Sequence, residues 1–139
     1  MSRQFILDKD HNVIPTDLYT WGMFLEHSSE RIVGQVHVGR FWVSTVFLGL
    51  DHDFAGVRLT EEYGGMPLGF YQPKVFETMV FYRERHEITF GRHKRMVREE
   101  FRTVRYRTWD EAAAGHARTV KLITRYERML AYHEAHAAK

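Results

Sequence analysis

The stretch that most constrains the fold is FWVSTVFL, residues 41–48. Phe41, Val43, Thr45 and Phe47 alternate with Trp42, Ser44, Val46 and Leu48, so both faces of an extended chain here are apolar except at Ser44 and Thr45. A half-solvated strand alternates apolar with polar residues, whereas a strand covered on both sides does not. The run therefore marks a central strand, and its hydroxyls stand out.

The neighbouring elements follow from periodicity. Residues 32–38 alternate as a second strand and join the first at a turn near Gly39. QFIL and NVI read as two short strands around a polar turn, Asp8 to Asn12. After Pro15, Thr16 or Asp17 can cap a helix over residues 17–28, with Leu18, Trp21 and Leu25 at helical spacing. KVFETMVFYRER and EEFRTVRYRT give two more strands, extended by the intervening residues into a long basic hairpin (residues 84–100) that turns near Gly91 and Arg92. Thr108-Trp109-Asp110-Glu111 has the T-x-x-E form of a capping box. It opens a last helix to about Tyr132 or beyond, with Trp109, Ala113, His116, Val120 and Ile123 on one stripe. The order predicts one α+β domain over residues 1–139, an antiparallel sheet of about four to six strands carrying an N-terminal and a long C-terminal helix. Residues 51–73 lose strand periodicity and read as a glycine-rich loop.

Composition narrows the chemistry. The chain has no cysteine, which excludes disulfide scaffolds, thiol catalysis and cysteine-bound zinc. No run of 18 apolar residues occurs, and MSRQFILDKD lacks a signal-peptide core, so a cytoplasmic protein without a membrane partner is expected. Net charge is only +2, yet Arg83, Arg85, Arg92, Lys94, Arg95, Arg98, Arg102, Arg105 and Arg107 crowd one segment against four glutamates. Such a field suits an anionic partner, a nucleic acid or a host defence protein; a solvated hairpin of interleaved ion pairs explains it equally well.

Catalytic motifs find little support. Asp51-His52-Asp53 resembles the His-Asp pair of metal phosphohydrolases, but the further ligands such a site needs are missing at suitable spacing, so no metal is expected. HEAH at His133–His136 has i, i+3 histidines where the zinc-protease motif requires i, i+4. Ser44 lacks a nucleophile elbow, and Gly64, Gly65 and Gly69 form no phosphate-loop or dinucleotide fingerprint. His116, on the apolar stripe, reads as a buried histidine hydrogen-bonded to the sheet. What remains is binding: arginine forks for phosphate, and Tyr82, Phe90, Phe101, Tyr106 and Trp109 for stacking on bases or for the core.

The segments ILDKD, RIVGQ, VSTVFLGLDHDF, VFETMVF and RYRTWDEAAAGHARTV together resemble a family of short phage and prophage proteins marked by STVFLGLDH, FETMVF and RY-x-T-W-x-EA-x-x-GH in that order. The chain departs from that pattern in its basic YRERHEITFGRHKRMVREEF, where the family carries a shorter, less basic link. In size and α+β character it is also similar to the Thoeris anti-defence sponge proteins of phages. That resemblance implies a homo-oligomer in the cytoplasm of an infected bacterium. It would hold a small anionic nucleotide, of the cyclic ADP-ribose or cyclic oligonucleotide type, without cofactor and without cleaving it. That resemblance carries over no residue; by their own chemistry the residues expected at the ligand are Ser44, Thr45, Asp51 and His52 at one rim, then Phe76, Glu77, Thr78, Arg105 and Arg107.

Overall fold

A computed structural model of the chain describes residues 4–51 and 72–137. His52 and most of the glycine-rich segment lie outside them. The elements are β1 (Gln4–Leu7), β2 (Val13–Thr16), α1 (Leu18–His27), β3 (Ile32–Val38), β4 (Phe41–Phe47), β5 (Phe76–Phe90), β6 (His93–Tyr106) and α2 (Trp109–His136). β3-β4-β5-β6 form a four-stranded antiparallel meander, and β1-β2 a separate two-stranded hairpin. The α+β architecture is the expected one, with its strands divided between two sheets. A bridge from Gln4 to Leu50 and the bond from Phe5 N–H to the Gly49 carbonyl, 2.8 Å, dock the small sheet at the exit of β4.

Local chemistry sets the boundaries. Asp8 folds the β1–β2 turn back on itself, its Oδ1 accepting from the N–H groups of Asp10 and Asn12 at 2.8 Å each. Asp17, not Thr16, caps α1 through Oδ1, which accepts from the Thr20 N–H at 2.8 Å. At the other hairpin Gly91 has φ +59° in a two-residue connection, a conformation open to glycine and costly for most other residues. Thr108 caps α2 by accepting from the Glu111 N–H, and Glu111 reaches back to the N–H of Arg107 at 3.1 Å. This closes the capping box one residue earlier than its usual form. The helix then runs 28 residues, about 42 Å.

α2 lies across one face of the four-stranded sheet. Alternation sends Phe41, Val43, Thr45 and Phe47 of β4 to that face, all fully buried. Their partners in register on β5 are Tyr82, Val80, Thr78 and Phe76. The helix meets them with Ala112, Gly115, Thr119 and Ile123, while Ala113 is exposed. Of the expected stripe Trp109, His116, Val120 and Ile123 do face the sheet and Ala113 does not; the buried face extends instead to Ala112, Gly115 and Thr119, with Gly115 providing the surface against which Tyr106 packs. A Cβ there would overlap the Tyr106 ring. In α1 the inward side chains are Trp21 and Phe24; Leu18, expected on the apolar stripe, is 61% exposed. Trp21 donates its indole N–H to the Leu48 carbonyl at 2.9 Å, and Phe24 meets Phe47 edge to face.

Two apolar clusters result. One gathers Phe5, Leu7, Phe47, Val75, Phe76, Tyr106 and Ala112; the other Phe41, Val43, Val80 and Ile123. Between them, on the same face, lie Thr45 and Thr78.

Candidate functional site

The two threonines are the sheet end of a buried polar chain. Thr45 Oγ1 stands 2.6 Å from Thr78 Oγ1 and 2.7 Å from Nδ1 of His116 on α2. Gly34, opposite Thr45 in register, leaves room for the imidazole: a Cβ there would come within 2.7 Å of Nε2. Burial pushes the His116 pKa below its ordinary value. The sequence reading of His116 as a histidine hydrogen-bonded to the sheet therefore holds, and its partner is Thr45.

Adjacent residues of a strand point to opposite faces. Ser44 and Thr45, expected at one rim, are therefore back to back. Thr45, Thr78 and Phe76 belong to the helix-covered core. Ser44, Glu77 and Arg105 belong to the other face, where no helix packs among the described residues. There Ser44 accepts from Gln35 Nε2 at 3.0 Å, and Arg105 Nε lies 3.7 Å from the buried Glu77 carboxylate. Arg107 is elsewhere again, on a cleft of about 410 Å³ beside His11, Asn12 and Thr108, its Nε donating to the Gln72 carbonyl at 3.2 Å. Asp51 is half-buried just past the Leu50 bridge.

The open face carries a feature that the linear reading missed. His37, Trp42 and Phe81, aligned in register across β3, β4 and β5, form a row of rings with centroids 6.1 and 5.7 Å apart. The Arg98 guanidinium lies over Trp42, 5.2 Å from the ring centroid. Irregular pairing between Phe81 and Arg85 places Arg85 directly opposite Arg98. Like charges so placed destabilise a strand pair. With Arg95 and Met96 they border a cleft of about 420 Å³ whose lining includes no carboxylate. Trp42 was legible only as one of the apolar side chains of a covered strand. The strict alternation of β4 was the signal that set it on the face away from the helix.

On the helix side, the β3–β4 turn is tied to α2 by Arg40, which reaches Glu127 at 3.0 Å and Glu134 at 2.6 Å. Those two carboxylates, Glu134 foremost, hold the guanidinium proton more tightly than usual, and Arg40 in turn holds Glu134 below the ordinary carboxylate range. A larger cleft of about 660 Å³ opens beside this clamp, with Tyr82, Arg83 and His86 on its wall. Among the described residues no group of three or more His, Asp or Glu side chains converges to hold a metal ion, and no helix is long and apolar enough to cross a membrane. Comparison with family models, with curated proteins and with solved structures finds no match to the chain.

Proposed function

We propose that the protein binds a nucleotide-type anion on the open sheet face and sequesters it without chemical change. The observation that carries this reading is the pair Arg85 and Arg98, set directly opposite each other at the edge of a half-buried aromatic row. Two cations in register repel, and an anion between them turns the repulsion into two forked, charge-assisted contacts. A base has a matching place on Trp42 and Phe81, since arginine and aromatic faces together hold nucleotides by stacking and charge. Ser44 with Gln35, and Glu77 with Arg105, continue the same face and supply donors and acceptors for a sugar or a base edge. The resemblance to phage proteins gives such binding a purpose, the removal of a cyclic ADP-ribose or cyclic oligonucleotide signal from an infected cell.

Calorimetry with cyclic ADP-ribose isomers and with cyclic di- and trinucleotides tests it, with chromatography of the released ligand. Binding with intact recovery is expected. Replacing Trp42 with Ala should weaken it by about 1–3 kcal/mol, roughly 5- to 150-fold, the cost of losing one stacking platform. Failure of every such ligand to bind would end the proposal.

A further inference from the structure

The outer face of α2 carries a row of cations that the fold does not use. Arg118, Lys121, Arg125 and Arg128 follow one another at i, i+3, i+7 and i+10, all exposed, on the side of the helix turned away from the sheet. From residue 112 to residue 126 the sequence contains no acid. The next two acids of the helix, Glu127 and Glu134, are both engaged by Arg40. Among the described residues none of the four cations has an ion pair. The charged neighbours of each at three or four residues are therefore all cations, an arrangement that weakens a helix by itself. An outside polyanion reverses that sign.

We infer that this face docks the protein on the phosphate backbone of duplex nucleic acid, without reading its sequence. The four charges span about 15 Å along one continuous helix, a row that a line of phosphates can match. Tyr132, one turn beyond Arg128, is 60% exposed but already stacked on His136 with centroids 4.0 Å apart, and no ring on this side stands between Arg118 and Arg128, so the row offers no free platform for unstacked bases, which single strands require. The continuous apolar stripe of α2 is already buried against the sheet, and Leu122, Met129 and Tyr132, at 45, 50 and 60% exposure, are single side chains among the cations rather than the apolar face that an interfacial helix inserts into a bilayer. This inference does not depend on ligand binding at the open sheet face, which lies on the other side of the sheet.

The test is fluorescence anisotropy of a short labelled DNA duplex titrated with the full chain at several salt concentrations. Four neutralised phosphates give a slope of log K against log salt of about −3.6, a loss of about 150-fold between about 50 and 200 mM salt. The double variant Arg118→Gln/Arg125→Gln should halve the slope to about −1.8 while melting no lower than the parent. A hairpin-tip variant, Arg92→Gln/Lys94→Gln, should bind as the parent does. Three results would overturn the inference: no duplex binding at low salt, binding lost in the hairpin variant but kept in the helix variant, or capture by phosphatidylglycerol vesicles with none by duplex.

Discussion

Replacing Thr45 with Val tests whether the polar chain behaves as a chain. Thr45 is its middle member, bonded on one side to Thr78 at 2.6 Å and on the other to His116 at 2.7 Å. Valine fills nearly the same volume but strands both neighbours, one hydroxyl at 1% residue exposure and one imidazole nitrogen. A buried polar group left without a partner costs about 1–3 kcal/mol, and because the imidazole is only half-buried its share falls at the low end, so Thr45→Val should cost about 2–4 kcal/mol in all. Thr78→Val removes an end member and leaves Thr45 bonded to His116, which costs only about 0.5–1.5 kcal/mol. The difference, near 2 kcal/mol, corresponds to roughly 6–10 °C in Tm for a chain of this size. Urea unfolding of the two single variants and the double variant measures it directly. The double variant should cost less than the sum, because only His116 is then stranded. Equal costs for the two single variants, or a Thr45→Val change within about 1 kcal/mol of the parent, would refute the chain as described.

Two further perturbations follow from the same packing. Burial holds His116 below its ordinary value of 6.5, so the unfolded chain takes up that proton first. Its share of stability is complete above about pH 6.5 and is lost as pH falls through the lower folded value; urea midpoints should drop between about pH 8 and 5, and less so in His116→Gln. Gly115→Ala should destabilise by about 1–3 kcal/mol through overlap with the Tyr106 ring, and Tyr106→Leu, which lacks the ring carbons that the new Cβ meets, should cost less in that chain than in the parent in a thermal melt.

Much of the architecture was readable from local chemistry. The Thr108 cap, the turn at Gly91-Arg92 and the central character of β4 each depend on a few adjacent residues whose preferences are strong. The helix stripe was not readable to the residue. Ala112, Ala113 and Ala114 are interchangeable by hydropathy, and the choice among them was made by a distant tyrosine packing on Gly115. The candidate site was less legible still. The arginines were visible as a basic run, but the pairing of Arg85 with Arg98 depends on irregular registers between Val80 and Arg85 that no short motif announces. The residues that carry the resemblance to phage proteins have a different meaning in three dimensions. Thr45, Thr78 and His116 bond to one another, Tyr106 packs on Gly115, and Thr108 with Glu111 starts α2. These contacts account for that set of residues as joints of the fold. The open face, proposed above to hold a ligand, shares with it Gln35, Ser44, Glu77, Phe81 and Arg105.

The long hairpin has a bearing on solubility. β4 accompanies β5 only as far as Tyr82, yet β5 and β6 continue pairing to Phe90 and His93. Beyond that point no further strand flanks the pair among the described residues, and each strand offers a row of backbone donors and acceptors along its outer side. Bare ribbon edges of this kind recruit strands from neighbouring molecules unless something repels them. Arg83, Arg85, Arg92, Lys94, Arg95 and Arg98 sit on this arm, and a second copy approaching edge to edge would bring the same six charges against them. The charge that would attract an anion would also oppose edge-to-edge pairing of two copies. Neutralising it, by substitution or by a bound polyanion, would remove the main barrier between the folded chain and strand-by-strand aggregation.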